Sequence, residues 1–332
     1  MTMTDNKSGC VAFVIVSWNN KTLLDECIES ITKQDYPNIK IILVDNNSKD
    51  DTVEYIKRHY PGITVLPQVS NHGFAKGNNI GIKKALEDEN VQYVALLNTD
   101  ARLASNWVSV LVEATLSRPK AATLQSLTLD YYNHGIIDSS HIYIAQNGQG
   151  TQGSWRLPLP NDYDVAPMKV FGCNAAAMLI SRKFIEAQPF RDFFDETMFM
   201  YLEDVDVAAR ATIMGWDNFV IPGTKAYHMG SASTSKKPGF SLYMTFRNNI
   251  GLLIKNLPLP ILLAVLWRLP RADRSSIKHL KRLKKADGIP YIYKGRLAGL
   301  KYLLIFLHKR YQFRSHRHID NNYLWNLMRR GF

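Results

Sequence analysis

A chain of 332 residues with 46% apolar and 21% charged side chains has the makeup of a folded globular protein, long enough for one large catalytic domain and a smaller appendage. Three scattered cysteines, Cys10, Cys27 and Cys173, exclude a disulfide framework and a cysteine-based metal site, and make a reducing cytoplasm the expected setting. The net charge of +12 is concentrated in residues 268–332, where 17 Lys and Arg face three acids, Asp273, Asp287 and Asp320; that tail carries +14 and the rest of the chain −2, which points to a polyanionic surface as partner.

Residues 11–17 read as a buried strand, and Leu23, Leu24, Cys27, Ile28 and Ile31 then recur with helical period. Residues 40–45 form a second strand that runs into the polar turn 46–51, followed by a helix over 52–60 and a third strand over 63–66. A helix over 75–87, a fourth strand over 92–97 and a helix carrying Trp107, Val108, Leu111 and Val112 on one side complete the alternation. Strands separated by helices of this size predict a parallel sheet covered on both faces, with ligands bound beyond the carboxyl ends of the strands. Residues 121–167 have weak periodicity and read as irregular strands over the cleft; 175–180 is a further strand, and 203–214 a helix closed by Gly215. Beyond Gly239 the character changes to successive helices rich in Leu, Ile, aromatics and Lys/Arg, so the boundary is placed there: 1–239 and 240–332. Only residues 1–8 read as disordered. No secretory signal is expected at the start, since the apolar run 11–16 is short and follows no basic region. No run reaches the roughly 20 apolar residues of a membrane span; residues 257–269 contain Pro258 and Pro260 and carry Arg268.

Polar residues gather where the ligand site is expected. Ser17-Trp18-Asn19, Asp45-Asn46-Asn47 and Asn98-Thr99-Asp100 each follow an apolar strand. The run Asn71-His-Gly-Phe-Ala-Lys-Gly-Asn-Asn79 leads into a helix, but Gly73, Gly77 and Gly81 lack dinucleotide-fingerprint spacing. It is either a tight turn or a place where backbone at Gly73 and the Lys76 ammonium meet a phosphate. Asp100 is a turn residue or a ligand for a hard cation whose remaining positions a diphosphate fills. Glu203, Asp204 and Asp206 crowd a helix start: one of them, Asp206 or Glu203, can serve the helix dipole, but three exceed that need and make a catalytic carboxylate expected. His228 is structural or completes a metal site with Asp100. In the tail, Leu262, Leu263, Val265, Leu266 and Trp267 adjoin Arg268 and Arg271, and residues 302–307 adjoin Lys309 and Arg310, the composition of an interfacial helix.

Taken in order, Val14-Ile-Val-Ser-Trp-Asn19, Val44-Asp-Asn-Asn-Ser48, the Asn71–Asn79 run, Leu97-Asn-Thr-Asp100, Phe171-Gly172, Phe194-Asp-Glu196, Phe199-Met-Tyr-Leu-Glu-Asp-Val-Asp206 and His228 resemble the family 2 glycosyltransferases, in particular their rhamnosyltransferase-like branch, over roughly residues 11–255. The resemblance implies an α/β glycosyltransferase A domain, Rossmann-like with a mainly parallel sheet, followed by a helical membrane-associating module. It implies an inverting transfer from a nucleotide diphosphate sugar, dTDP-L-rhamnose or another hexose such as galactose or galactofuranose from a UDP-sugar. The acceptor is a glycan or a polyprenyl-diphosphate-linked glycan in cell-surface polysaccharide synthesis. By the same resemblance Asp204 is the catalytic base and Asp45 holds the pyrimidine. Ser17, Asn19, Asn46, Gly73, Phe74, Lys76, Asn79, Asn98 and Asp100 line the donor pocket, while Gly172 and Glu203 line the sugar or acceptor pocket. Asp100, with His228, binds Mg²⁺ or Mn²⁺. Asn98 stands where many members carry an acid. Arg247 is either a diphosphate ligand or a helix-surface residue. The expected location is the inner face of the plasma membrane, peripherally bound to anionic lipid, with no nucleic acid partner. A nucleotidyltransferase would carry a glycine-rich loop after the first strand, where Ser17-Trp-Asn-Asn-Lys21 has none; a non-enzymatic nucleic-acid or lipid-binding protein would leave the polar strand ends and the acidic helix unexplained.

Overall fold

A computed structural model describes residues 9–160, 166–230 and 239–329; the disordered start expected at 1–8 and the segment just before the 239/240 boundary lie outside them. The first half alternates as expected: β1 (Cys10–Ser17), α1 (Lys21–Thr32), β2 (Ile39–Asp45), α2 (Thr52–His59), β3 (Thr64–Pro67), α3 (Gly73–Leu86), β4 (Val91–Leu97), β5 (Ala101–Leu103) and α4 (Trp107–Leu116). Then come β6 (Ala121–Asp130), β7 (Ile137–Ser139), β8 (Ile142–Ile144), β9 (Gly150–Gln152), β10 (Met168–Val170), β11 (Ala177–Ser181), α5 (Arg182–Glu186), α6 (Glu203–Ile213) and β12 (Asp217–His228). Five helices follow, α7 (Phe240–Asn256), α8 (Leu259–Arg282), α9 (Ile289–Leu300), α10 (Leu303–Phe313) and α11 (Asn321–Arg329).

The apolar strands β3, β2, β1 and β4 pair in that order, all parallel, and their alternation with helices forces the same carboxyl-end edge on each. Register sets Ser17 beside Asp45 at that edge. Beyond β4 the sheet turns mixed: β11 runs antiparallel between β4 and β6, β12 runs parallel to β6, and β10 closes the edge. The aliphatic side chains of β1 and β4 alternate between two clusters, one under α1 and α4 and one under α3 and α5.

The irregular reading of residues 121–167 is corrected at its start. β6 is a ten-residue strand, buried along its whole length, in the interior of the sheet. Its Thr, Gln and Ser residues break the apolar run that identifies buried strands, yet Thr123, Gln125 and Ser126 each have a partner inside. Gln125 donates to the carbonyls of Ser126 and Ser140 at 3.1 and 3.2 Å and accepts from the Asn174 amide at 2.6 Å. Ser126 accepts from the indole of Trp107, and Thr123 donates to Asn218. The following hairpin, β8 and β9, does lie over the cleft, as expected.

The C-terminal helices share a core with the α/β layer: Leu252, Leu253, Ile261 and Val265 pack with Ile142, Phe171, Val205 and Ala208. α9 approaches α7 closely because Gly295 and Gly299 offer no Cβ; one added at either would lie 2.6 Å from the carbonyl oxygens of Tyr243 and Arg247. A buried ion network joins the two layers. Lys255 Nζ lies 2.6 Å from Asp195 and 2.8 Å from Asp206, Arg210 reaches Asp206 at 3.1 Å, and Lys309 donates to Asp195. Burial alone would raise the Asp195 pKa, but Lys255 and Lys309 outweigh it and hold the carboxyl well below the usual carboxylate range. No helix of the described residues is long and apolar enough to cross a membrane. Because removing one partner strands the other charges in the interior, Lys255→Ala is expected to destabilise the fold by about 3–5 kcal/mol, read as a lowered denaturation midpoint; a midpoint within error of wild type would mean that the network is solvated.

Candidate active site

Beyond the carboxyl ends of β1, β2 and β4 opens a cavity of about 810 Å³, walled on its far side by the β8–β9 hairpin and the residues leading into α6. At these strand ends the wall is formed by Val16, Trp18, Asn20 and Asn46, while their sequence neighbours Ser17, Asn19 and Asp45 are off it. Ser17 is fully buried and its Oγ has no hydrogen-bond partner; the neighbouring Asp45 accepts the Ser48 amide on Oδ2 at 3.1 Å, while its buried Oδ1 has none. The Ser17 hydroxyl can donate as well as accept, so an unused donor and unused acceptor sites lie side by side at these strand ends. Asn19, in the left-handed region at φ 53°, donates its amide to Ser48 and accepts that of Lys49, so it ties the β1 and β2 turns together.

Asn46 reaches from the β2 end into the glycine loop. It donates to Asn71 and to the Gly73 carbonyl and accepts the His72 amide at 2.9 Å. Gly73 has φ +77°, and a Cβ there would sit 2.5 Å from the Phe199 carbonyl oxygen, so only glycine permits this approach. Phe74 lines the cavity. Lys76, half-exposed, pairs loosely with Glu196 at 3.9 Å. Asn79 is off the cavity wall: its amide group donates to the Phe194 carbonyl and accepts the Phe194 amide.

The pairing of β12 with β5 sets His228 against Ala101 and so brings it to Asp100. His228 Nε2 lies 3.3 Å from Asp100 Oδ1 and 3.5 Å from the Asn98 amide, and Nδ1 lies 2.8 Å from Asp138 Oδ2. Burial disfavours charge on this ring, but the two carboxylates outweigh it and push its pKa up to about 10. All four residues line the cavity.

The third wall is the start of α6. Neither Glu203 nor Asp206 caps it through a side chain: the cap position is Leu202, with φ 67°. Asp206 turns away into the ion network, leaving Glu203 and Asp204 on the cavity. Asp204 accepts the Val205 amide at 2.8 Å and the Ala175 amide at 3.4 Å, yet burial pushes its pKa up to about 6. Burial and the adjacent Asp204 push Glu203 higher still, well above the usual carboxylate range, and its buried Oε2 has no partner.

Phe199, Tyr201 and Leu202, just ahead of these acids, all have positive φ, at 60°, 71° and 67°. Such backbone persists only where its surroundings dictate it. Here the Asn248 amide of α7 donates to the carbonyls of Met198, Met200 and Tyr201 at 2.8, 2.9 and 2.8 Å, and Arg247 donates to that of Thr197. Arg247, stacked on Tyr302, is thus a loop anchor off the cavity wall. Gly172 is off the wall too: it lets α6 approach, since a Cβ there would meet the Ala208 Cβ at 2.1 Å. Sequence reasoning missed Asp138, Asn248 and the cavity-lining Trp155, Arg156 and Asn174. Asn248 stands in the Phe246-Arg-Asn-Asn249 run and could have been singled out with Arg247; Asp138 lies where periodicity is weak and carries no local signal.

Residues 12–187 match the family described as glycosyl transferase family 2. The chain is 23% identical over 246 residues to the N-acetylglucosaminyl-diphospho-decaprenol L-rhamnosyltransferase of Mycobacterium tuberculosis, covering 69% of this chain and 79% of that one. It is 24% identical over 235 residues to the rhamnosyltransferase WbbL of Escherichia coli, covering 66% and 83%. Among solved structures it is similar to GalNAc-T7 with UDP, GalNAc and Mn²⁺, at a TM-score of 0.59 and 18% identity over 76% of this chain; it spans about half, 48%, of that protein. With the family matched over more than half its length and a doubly wound sheet shared with that neighbour, the chain belongs to glycosyl transferase family 2 and is a glycosyltransferase of the glycosyltransferase A fold.

Proposed function

We propose that this enzyme moves L-rhamnose from dTDP-L-rhamnose, with inversion, onto a polyprenyl-diphosphate-linked glycan. The observation that carries the chemistry is the placement of Asp204, a half-buried carboxyl with its pKa pushed up to about 6, on the same cavity as the Asp100–His228 pair. The names of the two bacterial relatives support the sugar, and that of the mycobacterial one the lipid-diphosphate acceptor. A UDP-hexose such as UDP-galactose or its furanose form is the alternative donor.

Inversion needs one in-line displacement. Asp204, its pKa pushed up to about 6, takes the acceptor hydroxyl proton as that oxygen attacks the anomeric carbon. Glu203, kept neutral by burial and by its neighbour, adds no second charge and offers its proton to a sugar hydroxyl. Asp45 and Ser17, beside the cavity-lining Asn46 and Trp18, serve the polar edge of the pyrimidine, and Lys76, off the wall and loosely held by Glu196, reaches the diphosphate as it gains charge. Asn19, Asn46 and Gly73 serve the donor through the turns they hold.

The residues present also fit a divalent cation. Asp100 would offer a carboxylate and His228, once its Nε2 proton is given up, an imidazole, a set that suits Mn²⁺ and admits Mg²⁺, with Asp138 on Nδ1 as the outer partner of a ligating His. Among the described residues no group of three or more His, Cys, Asp or Glu is arranged to hold a metal, so the diphosphate must supply most of the coordination. When bound, such a cation supplies charge to stabilise the departing diphosphate.

We further propose that residues 240–332 form a helical module that rests on the inner face of the plasma membrane while 1–239 carries the chemistry; the +14 charge of the tail and the absence of a spanning helix among the described residues support this.

Asp204→Asn is expected to lower transfer by at least about a hundredfold while nucleotide binding changes less than about twofold. In the wild type the rate should fall as pH drops through about 6, because protonation removes the base. Transfer near the wild-type rate by folded Asp204→Asn would reject the assignment. For the cation, EDTA should abolish transfer and Mn²⁺ restore it, with Asp100→Ala weakening donor binding in Mn²⁺ far more than in EDTA. Wild-type activity indifferent to EDTA would leave Lys76 as the neutralising group.

A further inference from the structure

One stripe of the C-terminal helices is exposed and apolar. Tyr293, Leu297, Leu300, Leu304, Leu307 and Tyr311 recur at spacings of four and three across α9 and α10, and each is between 45% and 82% exposed. Within α9 and again within α10 that spacing keeps them on one side of the helix, the two helices being joined by a turn at Lys301 and Tyr302. The opposite side is already used: Ile292, Gly295, Gly299 and Phe306 are buried, and the two glycines and Phe306 meet α7. The stripe is therefore left over after folding, and leaving so much contiguous apolar surface in water signals a partner.

The charge beside it says which partner. Lys294 and Lys301 flank the leucines, Arg314 stacks on Tyr311 at 3.8 Å, and from Gly288 to Ile319 the chain has no acidic residue. A second copy laid stripe against stripe would bring lysines together with no carboxylate between them. A nucleic acid would find two tyrosines at the ends of the stripe and four leucines between them, where a run of stacked bases needs aromatic side chains. A bilayer with anionic headgroups accepts both features, the leucines below the headgroups and the lysines among them. The position is also apt. Tyr291, at the start of α9, packs on Gly239, next to Phe240 on the cavity wall. A shorter patch, Leu263 and Trp267 with Arg271 over the indole, lies on α8, whose Val265 and Leu269 pack on the β8–β9 turn at Gly148, just before the cavity-lining Gly150.

We propose that the α9–α10 stripe is the surface by which the enzyme lies on an anionic phospholipid bilayer, with the cavity mouth held at the height of a lipid-linked diphosphate. This rests on the peripheral-membrane reading above and names the surface responsible. The test is co-sedimentation of the full chain with vesicles of phosphatidylcholine alone or mixed with phosphatidylglycerol. Wild type should pellet with the mixed vesicles at least about tenfold better than with the neutral ones. The pairs Leu297→Glu/Leu304→Glu and Lys294→Glu/Lys301→Glu should each lose at least about tenfold of that binding, with circular dichroism and donor hydrolysis unchanged. If wild type pellets and both folded pairs pellet equally, the stripe is the wrong surface although the peripheral reading stands. If wild type stays in the supernatant with both vesicles, both readings fall. A wild-type dimer that Leu297→Glu/Leu304→Glu dissociates, or tighter binding to an oligonucleotide than to the mixed vesicles, also overturns the proposal. The lysine pair keeps the test decisive if the glutamates on leucine positions unfold the chain.

Discussion

Everything around the cavity's acidic wall hangs on one buried ammonium. Lys255 sits 2.6 Å from Asp195 and 2.8 Å from Asp206, and all three side chains are almost fully withdrawn from water. A lone charge in that position would be intolerable; it is tolerable only while both carboxylates stay where they are. Asp206 belongs to α6, Asp195 to the segment ahead of it and Lys255 to α7, so this one constraint locks three pieces of chain together. With Asp206 turned inward, the helix presents Asp204 and Glu203 to the cavity instead.

The same packing explains how a strained approach to the active site survives. Three left-handed non-glycine residues in four positions cost on the order of 1–3 kcal/mol each. The Asn248 amide, shared among three carbonyls, and the Arg247 guanidinium on a fourth hold that shape from α7. Gly73 completes the fit from the other side, where any side chain would collide with Phe199. The helical region is thus packed against the residues that wall the candidate site, while its outer face is exposed.

Local signals carried the parallel half of the sheet and the site that depends on it. Apolar strands ending in Ser17, Asp45 and Asn98 are visible without any tertiary information, and doubly wound sheets put those ends together. β6 was hidden because its buried polar side chains are satisfied by partners up to 95 residues away, which no window reveals. Asp138 was hidden for the same reason: it matters only because β12 delivers His228 to it. The motifs point to Asn79 and Gly172 as pocket residues and leave Arg247 as a diphosphate ligand or a helix-surface residue; in the structure each supports a neighbour's backbone or close approach. Motif residues in a tight loop serve the loop as often as the ligand, and only geometry separates the two.

The central claim is a single displacement driven by one carboxylate, Asp204, with no covalent sugar intermediate. The stereochemistry of the product tests it directly. Nuclear magnetic resonance of the glycoside formed from an anomerically pure nucleotide sugar should show the opposite anomeric configuration to the donor, at wild-type pH and with the full chain. Retention of the donor's configuration would contradict a one-step mechanism and with it the role given to Asp204.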